Sequence, residues 1–193
     1  MPTRLSPRRR SGTTRSILSD RRGATIVEFA LVATPFIALI LAILQTSLAY
    51  FAQEALESAV EASARSVVTG QAQFADIQSR GQGMTPAQLA ERFRQTACKG
   101  LPGFMSCARL YVDVRSAGSG TALGGTGPAL TFDQNGKPTN AFSYDLGSQG
   151  SLVMIRFIYL WPMRIAPSAD LSGAGNGQSV LMATSVSKSE AYS

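Results

Sequence analysis

The sequence predicts an α+β protein, in which a long N-terminal transmembrane helix continues into a small outer domain with a second helix and an antiparallel sheet. Three observations predict this class. Residues 24–44 form an apolar run that is interrupted by a single charge, Glu28. Residues 48–68 contain no Gly or Pro and repeat apolar side chains at helical spacing. The C-terminal half instead alternates short apolar segments with stretches rich in Gly, Ser and Asn, as sheets and their turns do.

The apolar run is long enough to span a bilayer. At about 1.5 Å of rise per residue, residues 24–44 would extend roughly 30 Å, the thickness of a hydrocarbon core. We therefore predict a long helix over 24–70 that lies in the membrane over about 24–45. Pro35 has no backbone N–H, so we also predict a helix kink there. A conventional secretory signal is the alternative, but its apolar core is shorter and an A-x-A cleavage site follows it closely.

Basic residues precede the apolar run. Residues 1–23 hold seven of the 18 Lys and Arg and one of the 12 Asp and Glu, so the whole net charge of +6 lies in this leader. Because positively charged flanks stay in the cytoplasm, we predict a disordered cytoplasmic leader and an outward-facing C-terminal domain. A nucleic-acid-binding arm is the alternative. It is disfavoured because the rest of the chain offers no basic face to extend it.

Glu28 is an acid inside an apolar segment. A carboxylate at the membrane centre costs roughly 2.5–3.5 kcal/mol on insertion scales, and less near the interface. Glu28 lies about one helical turn inside the run. Two interpretations stay open: an interfacial acid whose side chain reaches water, or an acid that awaits a cationic partner.

These features together resemble a known signal. The basic leader, Gly23, the four residues Ala24–Val27, Glu28 and Phe29 resemble the class III prepilin signal of type IV pilins and pseudopilins. The whole stretch RRGATIVEFALVATPF, with its Glu-Phe pair and the later Pro35, more specifically resembles the TadE-like family of minor pseudopilins in tight-adherence (Tad or Flp) pilus machines. Near the C-terminus, RFIYLWP and LMATSVSKSEAY resemble late strands of that family.

The resemblance implies a pilin-like fold and a specific function. It implies a minor pseudopilin that prepilin peptidase cuts between Gly23 and Ala24, so that residues 1–23 are removed. Assembly would run through the N-terminal helix, where Glu28 could pair with the new Ala24 amine of a neighbouring subunit, and Phe29 would be the second assembly residue. The implied role is in pilus biogenesis and surface adherence.

The resemblance also implies partners and a location. The partners would be prepilin peptidase, other pilins or pseudopilins and the inner membrane, and no nucleic acid. The protein would lie in the bacterial inner membrane with its C-terminal domain in the periplasm, and would enter an extracellular pilus after assembly. The alternative is an uncleaved single-pass anchor that displays a small outer binding domain.

Residues 71–193 are predicted to form the outer α+β domain. Residues 71–83 are expected to be a polar loop. Thr85-Pro86-Ala87-Gln88 then predicts an N-cap, a proline at the first helical position and a capping box, with a helix over about 86–98. The predicted strands are 110–115, 130–132, 142–144, 152–161 and 180–186, and the predicted glycine-rich loops are 116–128 and 173–177.

Cys98 and Cys107 are the only cysteines, and the chain has no His. Their spacing is not that of a CxxC redox or zinc motif, and an outer location is oxidising, so we predict a disulfide between them. Two buried free thiols are the alternative. Without His, catalytic Ser-His or Cys-His pairs and His-containing metal sites are excluded, and the aspartates are scattered. We therefore expect no catalytic residue, no metal site and no cofactor, and a protein that is not an enzyme.

Overall fold

A computed structural model of the chain describes residues 23–118, 129–162 and 178–190. Within these residues the elements are α1 (Ala24–Val68), α2 (Gln71–Gly81), α3 (Pro86–Cys98), a short 3₁₀-helix (Cys107–Arg109), β1 (Leu110–Ala117), β2 (Leu152–Pro162) and β3 (Gln178–Lys188). The predicted α+β class is confirmed: a long apolar N-terminal helix, further helices and an antiparallel sheet. The chain divides into two compact units, Met1–Leu44 and Gln45–Ser193.

Some sequence predictions fall on residues that the structure does not describe. These are the basic leader up to residue 22, most of the predicted loop at 116–128, the predicted loop at 173–177 and the last three residues. The predicted start of the loop at 116–128 is corrected, because residues 116 and 117 belong to β1.

The prediction of a polar loop at 71–83 is wrong, because α2 occupies most of it. Gly70 has a left-handed φ of 77°, and its N–H donates to the Val67 carbonyl at 3.1 Å. The chain therefore turns sharply after α1 and starts a second helix at once, a conformation that glycine adopts without strain. The segment is rich in Gln and Ala, which are good helix formers, so its polarity obscured a helical propensity.

The predicted short strands at 130–132 and 142–144 are also wrong. Phe132 forms only an isolated bridge with Pro138, and Tyr144 forms only an isolated parallel bridge with Val114. Between residues 132 and 138, the Asp133 carboxylate accepts two backbone N–H bonds of 2.8 Å each. A side chain thus supplies hydrogen bonds that a strand ladder would otherwise provide, and the chain forms a tight turn.

The sheet is a meander with β2 at its centre. Both β1 and β3 pair with β2 antiparallel. Residues 153–161 of β2 are all buried, so burial does not alternate along this strand. One face of β2 packs into a core with α1 and α3, and its side chains there are Val153, Ile155, Phe157, Tyr159 and Trp161. The second half of α1 supplies Ala52, Leu56, Ala59, Val60, Ala64 and Val67 to the same core.

Two local predictions around α3 are confirmed. The helix begins with a capping box, in which Thr85 N–H donates to Gln88 Oε1 at 2.8 Å and the Thr85 hydroxyl accepts from the Gln88 N–H. Cys98 and Cys107 form a disulfide, with their Cα atoms 5.7 Å apart. This bond ties the last residue of α3 to the 3₁₀-helix that leads into β1.

A buried ion pair lies on the face of the sheet opposite the main core. Asp113 on β1 and Arg156 on β2 are directly opposite in register. Arg156 Nη2 donates to Asp113 Oδ2 at 3.0 Å, and the two side chains are 3% and 0% exposed. Asp113 also accepts from Arg115 Nε at 3.1 Å and from the Ser143 N–H at 2.8 Å. These bonds give hydrogen-bond partners to a carboxylate that is far from water.

Replacing Asp113 with Ala should lower the free energy of unfolding by about 3–5 kcal/mol, because it leaves the Arg156 charge buried without its carboxylate partner. The full chain in detergent can be unfolded with denaturant and followed through the fluorescence of Trp161, the single tryptophan. Glu91→Ala is the matched control, since it breaks an exposed pair with Arg94 and should cost no more than about 1 kcal/mol. Equal losses for the two variants would contradict this account.

Removing the disulfide should destabilise the unit formed by residues 45–193. Because the bond closes a loop across a separation of 9 residues, the chain-entropy argument gives a loss of roughly 2.5–3 kcal/mol for Cys98→Ala/Cys107→Ala. Reduction should lower the unfolding free energy of the parent chain by the same amount. It should leave the double variant unchanged. Alkylation of both thiols in mature protein without prior reduction would contradict the presence of the disulfide.

Candidate functional site

The first half of α1 exposes its apolar side chains. Its large apolar residues range in exposure from 40% at Ile40 to 73% at Phe29 and Leu31. Among the described residues, α1 is the one helix that is long and apolar enough to cross a membrane by length and composition, and none of its most apolar stretch is buried. Burying such a side chain is worth about 1.5–3 kcal/mol. This surface therefore favours a bilayer or other helices as its surroundings.

Gly23 directly precedes α1, and Ala24 is the first residue of the helix. A Cβ atom added at Gly23 would have no other heavy atom within 4 Å. The described part of the chain therefore has room for a side chain at this position. If glycine is required there, the requirement comes from something outside the described structure.

Glu28 lies in the second turn of α1 and is exposed. Within the described ranges its carboxylate has no hydrogen bond and no ion pair. Positions 24 and 28 are four residues apart, so they lie on the same side of the helix. Phe29 is adjacent and 73% exposed. The start of α1 thus offers an uncompensated acid next to an exposed aromatic ring.

The helix continues without a break through Pro35. Proline cannot donate the backbone bond to residue 31, which leaves a gap in the ladder of helical hydrogen bonds. Next to this gap, the Thr34 hydroxyl donates to the Ala30 carbonyl at 2.7 Å, a kind of bond that often bends helices. Pro35 therefore does not end the helix, and the kink stays a prediction.

The predicted site residues fall into two groups. Gly23, Ala24, Glu28 and Phe29 lie together at the start of α1, with Pro35 further along the same helix. The two cysteines instead stabilise the unit formed by residues 45–193. In the described segments no three or more His, Cys, Asp or Glu residues are grouped so that they could hold a metal ion.

Sequence reasoning missed two features of the folded chain. One is the Asp113–Arg156 pair, for which the only signal is the single charge of β2 and an acid in β1 that is followed two residues later by Arg115. The other is α2, which exposes Phe74 and Ile77. The sequence signal for α2 is this pair of large apolar residues, which are three positions apart, as on one face of a helix, in a segment that otherwise looks polar.

Residues 23–65 match the family model described as TadE-like protein. No curated protein and no solved structure matches the chain. The matched segment contains Gly23, Glu28, Phe29, Pro35 and the exposed apolar half of α1. It ends before α2, so the resemblance of the late strands stays a prediction. The family is structural rather than enzymatic and is associated with the tight-adherence pilus system. The resemblance is thereby confirmed at the N-terminal helix: over residues 23–65 the chain matches the TadE-like family model.

Proposed function

We propose that this chain is a minor pseudopilin of a Tad/Flp type IV pilus, processed by prepilin peptidase after Gly23 and assembled through the first half of α1. One combined observation carries the proposal. The apolar side chains at the start of α1 are exposed, and among them Glu28 has no partner within the described residues. A helix that only crossed a membrane would gain nothing from a charge at that position.

Insertion would place the basic leader in the cytoplasm and residues 71–193 in the periplasm. The positive charges before the apolar run favour this orientation, because Lys and Arg flanks are retained on the cytoplasmic side. An oxidising periplasm would also allow the Cys98–Cys107 bond to form and persist. A Cβ atom at Gly23 would meet no other atom of the described structure, so the fold itself does not demand a glycine there. A requirement of the peptidase would explain the glycine, which supports the processing step.

Assembly would give Glu28 the cation that it lacks. Cleavage after Gly23 creates a free amine on Ala24, at the start of α1. When helices of two subunits pack in the membrane, the Glu28 carboxylate of one can meet the Ala24 amine of the other. Such a desolvated pair adds little net stability against an apolar alternative, but a missing partner is costly, so it favours one register over the others. The subunit would thereby serve pilus biogenesis and surface adherence.

Processing is the first test of this proposal. In cells that contain prepilin peptidase, mass spectrometry should find a mature chain that begins at Ala24. Gly23→Arg should abolish the cut and leave membrane insertion intact, because a bulky charged residue would occupy the constricted position before the cleaved bond. Gly12→Arg is the matched control, as it adds the same side chain within the leader and should be processed normally. A mature chain beginning at Met1 would support the uncleaved anchor instead.

The second test concerns Glu28. Glu28→Leu should insert and be processed normally, because a charge in an apolar helix is unfavourable for the isolated subunit. It should lose co-purification with other pilins and lose piliation, since the Ala24 amine of the neighbour would be left unpaired in a low-dielectric setting. Glu28→Gln should be intermediate at best. Thr25→Leu adds the same side chain one turn earlier and should assemble. Normal assembly of Glu28→Leu would show that Glu28 is only an interfacial acid.

A further inference from the structure

Helix α2 has an inverted arrangement of polar and apolar residues. Its buried residues are polar: Gln73, Asp76 and Ser79 are 7%, 4% and 6% exposed. Its large apolar residues face solvent instead, with Phe74 70% and Ile77 67% exposed. A surface helix of a globular domain normally turns its apolar stripe toward the core. The outward position of these two side chains therefore needs an explanation.

A network of polar contacts fixes this orientation. Asp76 accepts from Arg92 Nη2 on α3 at 2.5 Å and from the Tyr144 hydroxyl at 3.0 Å. Arg92 Nη1 donates to the Ala75 carbonyl at 2.6 Å and also to the Ser79 hydroxyl. Burial, together with the nearby Asp76 carboxylate, raises the pKa of Tyr144, so its hydroxyl keeps the proton that it donates. Rolling α2 to bury its apolar side would break these bonds.

The exposed surface of α2 is an apolar ridge with one positive charge. We call Phe74, Ile77 and Arg80 the α2 ridge; they are spaced three residues apart and are exposed. Asp76 and Arg92 compensate each other behind the ridge. Arg80 makes no ion pair within the described ranges. The ridge therefore favours a surface that combines an apolar ring with negative charge.

The same chain carries such a surface on the outer half of α1. We call it the α1 acidic stripe, and its residues are Tyr50, Glu54, Glu57 and Glu61. At 100° per residue these four positions fall within about 60° of one another. All four are exposed, and Tyr50 is 71% exposed. None of the three carboxylates forms an ion pair among the residues that the structure describes. Within one chain the ridge and the stripe are both open to solvent, so they do not cover each other.

We infer that the α2 ridge of one copy docks on the α1 acidic stripe of a second copy of this chain. The inference rests on the proposed function, because it supplies a contact between outer units of subunits that assemble through their N-terminal helices. The two patches are opposite in charge, and each brings an aromatic ring, a residue type enriched in interface cores. Since they are different patches, the contact is heterologous: each copy keeps a free ridge or stripe, and further copies can add in the same direction.

Cysteine cross-linking in membranes tests the contact on the full chain. One tagged copy carries Ile77→Cys and a differently tagged copy carries Glu57→Cys, while the native cysteines are bonded to each other. Mild oxidation should yield the mixed dimer. A pair with Lys137→Cys in place of Ile77→Cys is the matched control and should give none, because Lys137 is exposed in the turn at 133–138. Absence of the 77–57 product, or a product between two copies of Ile77→Cys alone, would overturn the inference.

Charge reversal provides an independent measurement in the same assay. Arg80→Glu should reduce the yield of the 77–57 product about tenfold, because like charges then face each other across the contact. Adding Glu61→Arg to the partner copy should restore most of it. Lys137→Glu makes the same charge change away from the ridge and should leave the yield unchanged. Equal yields for Arg80→Glu and Lys137→Glu would overturn the inference.

The same membranes separate this inference from the proposed function. The N-terminal residue of the chain and its co-purification with other pilins are measured beside the cross-link. A processed chain that binds pilins but gives no 77–57 product refutes the contact alone. A chain that still begins at Met1 and binds no pilin refutes the proposed function, whatever the cross-link yield.

Discussion

The apolar surface of the first half of α1 is the constraint on which the rest of this protein depends. Side chains from Ile26 to Leu44 are mostly more than half exposed, and no part of the described chain covers them. Several such residues together carry a free energy cost in water that exceeds the stability of a typical domain. The segment therefore favours lipid or other helices as its surroundings, and the single charged group within it gains unusual influence.

Glu28 is that group. In water a carboxylate on a helix surface needs no partner, but in a low-dielectric setting it strongly prefers one. The described chain provides none. Under the proposed function, a single inserted helix would tolerate this acid, because Glu28 would lie near the membrane interface. Under the proposed function, a neighbour would bring a positive group to this acid, and one side chain would link membrane insertion to assembly.

The unit formed by residues 45–193 shows how a small domain achieves stability around the second half of α1. Small and branched side chains such as Ala52, Leu56 and Val60 pack against the central strand β2. The disulfide fixes the connection from α3 to β1, and the Asp113–Arg156 pair fixes the register of β1 on β2. Packing provides the stability, whereas the ion pair selects one register, since a shift by one residue would bury an uncompensated charge.

Helix α2 differs because its orientation is set by polar contacts rather than by apolar burial. The network of Asp76, Arg92 and Tyr144 holds the helix with Phe74 and Ile77 outward. Exposed aromatic and aliphatic side chains on one helix face are typical of interaction surfaces. The unit formed by residues 45–193 thus has an uncovered apolar surface of its own.

The sequence by itself determined the features whose signals are local. The apolar run, the acid at Glu28, the capping box at Thr85 and the pattern of β2 each lie within a few residues, so periodicity and residue type were sufficient to predict α1, α3 and the sheet strands. The disulfide was predictable because only two cysteines exist. What only the tertiary structure decided depends on distant partners. Asp113 meets Arg156 through strand register, Tyr144 contacts Asp76 across 68 positions of sequence, and the face that α2 turns outward follows from those contacts. Local patterns do not reveal which buried polar groups find each other, because long-range pairing is set by the packing of the whole unit.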